Sequence, residues 1–149
     1  MATQTAQGEA EIVNPLVDLI GYQLRRSSSA LMGDLARSLE PYDLRPSEAS
    51  VLVLIDANPR ITQSEIGRIL AIKRANMAPL SAALEQRGLI ERAPVDGRSQ
   101  GLTLTAKGSE LLKDVRALIV ANERRFLGKL DHSERAKLIA LLQECWTEA

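Results

Sequence analysis

The sequence has few of the residues on which catalysis and metal binding depend. A single cysteine, Cys145, and a single histidine, His132, occur among 149 residues. One thiol excludes a disulfide within the chain, and one Cys with one His falls short of the ligands that a zinc site needs. We interpret Cys145 as a buried packing thiol and His132 as part of a helix cap. The expectation is a protein that is not an enzyme and uses no metal or other cofactor.

Aromatic side chains are scarce too, at 3%, although 45% of the residues are hydrophobic. The core must therefore consist mainly of aliphatic side chains, as in many helical proteins. No hydrophobic run approaches the ~20 residues of a membrane-spanning helix, and the beginning of the sequence is too polar for a signal peptide. Together with the single cysteine, this predicts a cytoplasmic protein with no membrane partner.

Charge is balanced over the whole chain but is unevenly distributed along it. There are 19 basic and 19 acidic side chains. Residues 1–59 carry four basic and eight acidic side chains, whereas residues 60–100 carry seven basic and four acidic. The central segment therefore has three surplus positive charges, and contacts to a polyanion such as DNA are expected there.

The same central segment has the pattern of two short helices followed by a β-hairpin. Residues Thr62–Glu65 have the spacing of a capping box at the start of the first helix. A second helix is predicted to begin near Lys73 and to end at Gly88, a favoured helix stop. Two β-type runs follow, at 89–93 and 101–104, around a polar turn with an Asp-Gly pair. This is the order of a winged helix-turn-helix, whose second helix enters the DNA major groove.

Longer helical patterns lie on both sides of this motif. Apolar residues at helical spacing predict a first long helix from Pro15 to Pro41 and a shorter one that begins at Pro46. Thr105 is the expected cap of a long helix after the hairpin, and Asp131 has capping-box spacing ahead of a last helix. We therefore expect a mainly α fold with a small β-hairpin wing.

The outer helices carry apolar stripes that one chain has little material to cover. We expect a homodimer in which the N- and C-terminal helices of two chains pack together. The alternative is a monomeric helical bundle with an attached wing. The predicted organisation is a disordered tail at 1–11, a helical dimerisation region at 12–40 and 105–149, and a winged helix-turn-helix DNA-binding region at 41–104.

Three segments resemble the MarR family of bacterial transcription regulators. The stretch from Asp96 to Gly108 has the spacing D-x-R-x5-L-T-x-x-G that marks the wing of that family. Leu84–Arg92, LEQRGLIER, is similar to the end of its recognition helix, and Tyr42–Leu54 is similar to the start of its second helix. The resemblance extends from Leu19 to Leu142 and so covers nearly the whole chain.

The resemblance implies a homodimer that binds a palindromic double-stranded DNA operator, usually as a repressor. It also implies that DNA is released when a small molecule, often aromatic or acidic, binds between the dimerising and DNA-binding helices. The run Lys73–Leu80, KRANMAPL, is similar to members that respond to aromatic acids or their CoA thioesters. The alternative is a winged-helix module that binds protein and recognises no DNA sequence. The basic start of the second helix and Arg98 favour DNA.

Candidate DNA contacts lie in three places along the motif. The start of the first short helix, where backbone N–H groups attract phosphate, carries Thr62, Gln63 and Ser64. The second helix presents Lys73, Arg74, Ala75, Asn76, Ala78 and Pro79, and the wing presents Asp96, Arg98, Ser99 and Gln100. Arg98 resembles the minor-groove arginine of the family, and Asp96 is expected to fix the wing by bonding the backbone or an arginine.

The second helix departs from the family pattern at Ala78 and Pro79, where Thr and Arg are common. Small apolar groups read thymine methyl groups better than they read hydrogen-bonding base edges. Polar base reading then falls to the first turn, with Arg74 for guanine and Asn76 for adenine, while Lys73 is expected on a phosphate. Pro79 lacks a backbone donor and is expected to kink the helix.

A polar interruption of the first long helix is the candidate effector site. Its residues are Tyr22, Arg25, Arg26, Ser28, Ser29 and Met32. Hydroxyl and guanidinium groups beside an apolar stripe suit an anionic effector. The alternative is that the two arginines face solvent or pair with acids such as Asp18.

Overall fold

The structure, a computed structural model, describes residues 12–97 and 99–147, which contain six α-helices, a 3-10 turn at Glu40–Tyr42 and three short strands. The helices are α1 Ile20–Leu39, α2 Pro46–Ala57, α3 Gln63–Ile69, α4 Arg74–Gln86, α5 Ala106–Leu127 and α6 His132–Thr147. The strands are β1 Ile61–Thr62, β2 Ile90–Pro94 and β3 Gln100–Leu104. The predicted mainly α fold with a β-hairpin wing is confirmed. The expected tail at 1–11 lies outside the described residues.

The first helix begins at Ile20, so the prediction that it starts at Pro15 is wrong. The Asn14 side-chain oxygen accepts the backbone N–H of Leu16 at 3.0 Å, and the Leu19 N–H donates to the Leu16 carbonyl at 3.0 Å. An asparagine side chain offers nearby backbone an alternative to helical bonding. Residues 15–18 therefore form turns ahead of α1.

The predicted caps of three helices are confirmed. In the Thr62–Glu65 box, the Thr hydroxyl accepts the Glu backbone N–H at 3.3 Å and the Glu carboxylate accepts the Thr backbone N–H at 2.8 Å. The backbone N–H and then the hydroxyl of Thr62 hold the pKa of the Glu65 carboxyl below its usual value. Thr105 caps α5 through the Gly108 N–H at 3.0 Å, and Asp131 caps α6 through the Glu134 N–H at 2.9 Å. Each cap satisfies a backbone donor that a helix start otherwise leaves unpaired.

The sheet contains one strand more than the predicted hairpin. β2 and β3 pair antiparallel from Ile90 opposite Leu104 to Pro94 opposite Gln100. β1 adds to the other side of β3, giving the order β1-β3-β2. Two residues are too few to show an alternating pattern, so this strand could not be read from the sequence. Its consequence is that the start of α3 is joined directly to the wing.

The core lies where α2 meets α5, the sheet and the two short helices. Its side chains are nearly all aliphatic, as the low aromatic content predicts. They include Val51, Leu52 and Ile55 of α2, Ile66 of α3, Met77 and Leu84 of α4, Leu102 of β3, and Leu112 and Val115 of α5. Because α3 and α4 both bury side chains in this core, their mutual angle is set by packing.

The outer helices leave apolar surface uncovered within one chain. The stripe of α1 divides, since Leu35 and Leu39 are buried whereas Ile20 and Leu24 are exposed. None of the described residues of α6 is buried, and this helix exposes Ile139, Leu141 and Trp146. Cys145 is exposed on the same helix, so the expectation of a buried thiol is wrong for the single chain.

No helix within residues 12–97 and 99–147 is both long enough and apolar enough to cross a membrane. In the same described residues, no three His, Cys, Asp or Glu side chains come together in a way that could hold a metal ion.

Candidate nucleic-acid interface

Helix α4 buries one face and exposes the other. Met77, Ser81 and Leu84 are buried against the core. The opposite face and the first turn are exposed, with Lys73, Arg74, Ala75, Asn76, Ala78 and Pro79. The helix continues to Gln86 through Pro79, and Gly88 follows it with a φ of 67°, a conformation that favours glycine. The residues proposed to read DNA therefore share one accessible surface.

A groove of about 460 Å³ separates the exposed face of α4 from α3. Ser64 and Arg68 of α3 line it on one side, and Arg74 and Ala78 of α4 line it on the other. Both arginines are exposed. The groove walls therefore combine two arginine charges with the start of a helix, and both features attract a phosphate of the DNA backbone.

A second groove, of about 660 Å³, lies on the other side of α4. Its walls include Arg45 and Ser47, at the start of α2, and Lys73 and Asn76, at the start of α4. Sequence reasoning missed Arg45 and Ser47, since no local pattern links them to a helix so much later in the chain. Helix α4 thus lies between two grooves, each with basic side chains on its walls.

Only one of the three candidate contacts at the start of α3 is exposed. Thr62 and Gln63 are partly buried, whereas Ser64 is exposed. The Thr62 hydroxyl is used in the capping box. The Gln63 amide lies against Arg92 of β2 and Ser81 of α4. Ser64 is therefore the side chain at this helix start that is best placed to meet a phosphate.

The tip of the wing is a closed turn. The Asp96 carboxylate accepts the backbone N–H of Ser99 at 2.7 Å, and the Val95 N–H donates to the Ser99 carbonyl at 2.9 Å. Ser99 is partly buried and Gln100 is exposed, while Arg98 lies outside the described residues. Asp96 thus organises the turn that carries the candidate minor-groove residue.

The C-terminal end of α4 is attached to the connection between α1 and α2. The Arg87 guanidinium donates to the Tyr42 carbonyl at 2.8 Å and to the Asp43 carbonyl at 2.6 Å. Lys107 of α5 donates to the Arg87 carbonyl at 2.8 Å. These bonds hold the last turn of the helix against two other elements.

The candidate effector residues lie along α1, away from both grooves. The Arg25 guanidinium lies 5.6 Å from the centre of the Tyr22 ring, and the Tyr22 hydroxyl accepts from the Asn14 amide at 3.0 Å. Apart from the partly buried Tyr22, the set is exposed, namely Arg25, Arg26, Ser28, Ser29 and Met32. In one chain these side chains form an open surface, in agreement with the alternative that the arginines face solvent.

Comparison with known proteins places this geometry among bacterial regulators. A sequence model of the MarR family matches residues 42–99. The chain is 27% identical over 143 residues to a putative transcriptional regulatory protein for the hcr operon of Thauera aromatica, covering 93% of this chain and 86% of that protein. It is similar to the transcriptional repressor CouR bound to p-coumaroyl-CoA, with 35% identity, a TM-score of 0.76, and coverage of 89% and 94%. It is also similar to the MarR family protein Rv2887 of Mycobacterium tuberculosis in complex with p-aminosalicylic acid, with 26% identity, a TM-score of 0.67, and coverage of 85% and 97%.

Proposed function

Because this chain belongs to the MarR family and is a DNA-binding transcriptional repressor of that family, we propose that it acts as a homodimer on a palindromic operator. Binding of a small aromatic or acidic effector releases it from DNA. The observation that carries the proposal is the exposed first turn of α4, set between two grooves with basic walls. A regulator of this kind performs no catalysis, so the role of each residue is to bind or to position.

In the proposed complex, α4 lies in the major groove and the wing lies along the neighbouring minor groove. Arg74 reads guanine and Asn76 reads adenine, each with ~1–3 kcal/mol of discrimination against the wrong base. Ala75, Ala78 and Pro79 contact thymine methyl groups. Phosphates are held by Ser64 and Lys73 and by the wing residues Ser99 and Gln100, while Arg98 enters the minor groove.

The effector we propose is an aromatic acid or its CoA thioester. Two similar proteins hold such molecules, p-coumaroyl-CoA in CouR and p-aminosalicylic acid in Rv2887. In this chain the side chains of Tyr22 and Met32 supply a surface for an aromatic ring, and Arg25 and Arg26 supply charge for a carboxylate or for phosphates. Two adjacent exposed arginines favour the thioester, because its nucleotide carries several phosphate charges.

The DNA-binding proposal is tested by selecting duplexes from a random-sequence library with the purified protein. The expected result is a palindromic consensus with half-sites about one helical turn apart, because a two-fold symmetric dimer presents two copies of α4. Affinity for the selected duplex should fall log-linearly with salt concentration. Recovery of no duplex even at low salt would contradict the proposal and favour the alternative, a winged-helix module that binds protein.

The effector proposal is tested by titrating p-coumaroyl-CoA, p-coumarate and free CoA into the protein–operator complex. Release by the thioester at lower concentration than by either part is the expected result, and Arg25→Ala with Arg26→Ala should weaken it. Lys113→Ala, which removes an exposed charge on α5, is the matched control and should release normally. If the effector releases the double variant and the wild type at equal concentrations, these arginines do not bind the effector.

A further inference from the structure

Four side chains from three elements meet between the wing and the recognition helix. Arg92 comes from β2, Ser81 and Glu85 come from α4, and Gln63 comes from the first turn of α3. Ser81 is fully buried, and the Arg92 and Glu85 side chains are 31% and 40% exposed. Neither the capping pattern nor the wing signature accounts for this cluster.

The Arg92 guanidinium is the centre of the cluster. Its Nε donates to the Glu85 carboxylate at 2.8 Å. Its Nη1 and Nη2 lie 2.8 and 3.0 Å from the Gln63 amide oxygen, with the amide oriented so that its oxygen faces these donors. All three guanidinium nitrogens are therefore directed at protein acceptors.

Gln63 completes the connection to the buried side of α4. The Ser81 hydroxyl lies 2.9 Å from the same amide oxygen and 3.1 Å from the carbonyl of Ala78, so its single proton serves one of the two acceptors. The two guanidinium donors are enough to occupy both lone pairs of the Gln63 amide oxygen, so this oxygen is committed to the cluster. The cluster explains why Gln63 is partly buried at a helix start where Ser64 is exposed.

We infer that Arg92 is a positioning residue for DNA binding: it braces the wing strand against the recognition helix and the start of α3, with Gln63 and Glu85 as its two anchors. The inference rests on the proposed function, and it assigns a role in DNA binding to side chains that do not themselves contact DNA. The brace sets the spacing between α4 in the major groove and the wing in the minor groove. Without it, binding must first order two elements that move more freely, which costs affinity.

Arginine is the side chain that this geometry requires. A planar guanidinium presents donors in several fixed directions, so one residue reaches a carboxylate and an amide at the same time. A lysine ammonium is a compact charge and reaches the two anchors less well. A second hydrogen bond holds the far end of β2, where the Arg60 guanidinium donates to the Pro94 carbonyl. Of these two arginines, Arg92 is the one that bonds directly to the recognition helix.

The test compares Glu85→Gln with Glu91→Gln in binding to the duplex selected by the wild-type protein. Removing a negative charge near DNA by itself tightens binding. The brace predicts the opposite for Glu85→Gln, a severalfold weaker affinity, because a neutral amide is a poorer anchor for Arg92. Glu91 is an exposed neighbour of Arg92 on β2, so Glu91→Gln makes the same chemical change without touching the brace. It should bind as tightly as the wild type or more tightly.

The salt dependence of Arg92→Ala separates a brace from a phosphate contact. The expected result is affinity lower by on the order of tenfold with an unchanged slope of log affinity against log salt. Arg68→Ala, at a groove position expected to touch phosphate, should lose affinity and also ~0.9 of slope per lost phosphate contact. Arg92→Lys keeps the charge and should restore little of the affinity. Thermal unfolding and sedimentation show whether each variant is folded and dimeric, and Glu85→Gln carries the test if Arg92→Ala is not.

Three outcomes overturn the inference, and they differ from one another. Tighter DNA binding by Glu85→Gln would show that the Glu85–Arg92 pair does not position the wing. A drop in slope for Arg92→Ala equal to that for Arg68→Ala makes Arg92 a direct phosphate ligand. If the wild-type protein selects no duplex at all, the proposed function fails and the positioning role fails with it.

Discussion

Gly108 shows at the scale of one residue why the wing signature ends in glycine. A Cβ atom at this position would lie 2.0 Å from the carbonyl oxygen of Leu89. The same junction is closed by Thr105, whose hydroxyl donates to the Gly88 carbonyl at 2.6 Å and whose N–H donates to the Leu89 carbonyl at 3.1 Å. The Leu-Thr-x-x-Gly stretch therefore packs the start of α5 onto the Gly88–Leu89 backbone, between α4 and β2.

We expect Gly108→Ala to destabilise the fold by about 1–3 kcal/mol or more, because the added methyl meets backbone that cannot move aside easily. The measurement is the denaturant midpoint. Gly33→Ala in α1 is the control, since its Cβ would meet only the flexible Arg37 side chain, at 3.8 Å. That substitution should be neutral or stabilising by up to ~1 kcal/mol. Equal midpoints for the two variants would contradict this explanation of the glycine.

Asp34 joins α1 to α5 through a nearly buried carboxylate. It accepts from the buried Asn122 amide at 3.0 Å and from Arg125 at 2.6 and 2.7 Å. Arg37 adds a longer bond at 3.2 Å. The hydrogen bond from Asn122, followed by the charge of Arg125, holds the pKa of Asp34 below its usual value near 3.8. The negative form of this side chain is thus the one that the fold stabilises.

A lowered folded-state pKa fixes the sign of the pH dependence. The contribution of Asp34 is fully present above its unfolded-state value and is lost as the pH falls through the lower folded-state value. We therefore expect Asp34→Asn to lower the thermal midpoint at pH 7 and to reduce the loss of stability below pH 4. Asp18→Asn, at an exposed aspartate before α1, is the control. An unchanged acid profile in the Asp34 variant would refute the assignment.

At the scale of elements, the position of α4 between two grooves extends the expected DNA footprint to α2. Arg45 starts that helix, with its backbone N–H bonded to the Glu48 carboxylate at 2.8 Å. Its side chain is exposed and lines the same groove as Lys73. In the proposed complex, we expect a phosphate on this side of α4 to meet both cations.

We expect Arg45→Ala to weaken operator binding to a similar degree for all sequences and to lower the salt slope by ~0.9 for each phosphate contact that is lost. Salt titration of the wild type and the variant measures this slope. Arg116→Ala, on α5 where the guanidinium pairs with Asp56 at 2.8 Å, removes the same charge away from the groove. The Arg45 role is refuted if both variants have the wild-type slope.

At the scale of the whole molecule, the uncovered apolar faces of α1 and α6 favour a dimer. A chain that exposes Ile20, Leu24, Ile139, Leu141 and Trp146 to water gains free energy when a second copy covers them. Both helices lie outside the winged helix-turn-helix, so in a dimer the two copies of α4 remain free to face DNA. The proposed dimerisation region at 12–40 and 105–149 therefore agrees with the exposure of these side chains.

We expect Leu141→Glu to convert the protein to a monomer, because a carboxylate placed in an apolar interface must lose its hydration. Sedimentation over a range of concentrations gives the mass. Ser109→Glu, at an exposed position in the first turn of α5, should remain dimeric. The monomer should bind the palindrome much more weakly, since each half-site is then held separately. A wild-type protein that is monomeric at micromolar concentration would contradict the dimer.

Most of the secondary structure was predictable, and the errors have identifiable causes. The caps at Thr62, Thr105 and Asp131 and the stop at Gly88 are local signals, and all are confirmed. The start of α1 was misplaced because the side-chain bond of Asn14 competes with helix formation ahead of Ile20. In the candidate site, the exposed first turn of α4 could be predicted from helical spacing alone.

The sequence by itself determined the order of the helices and the β-hairpin, because capping bonds and turn preferences act between residues only a few positions apart, and its wing motif indicated the family. Only the tertiary structure decided which distant residues meet. It paired β1 with β3, placed Arg45 and Lys73 on the walls of one groove, and turned Gln63 toward Arg92. These contacts depend on how the core orients whole helices, and no spacing along the chain records that orientation.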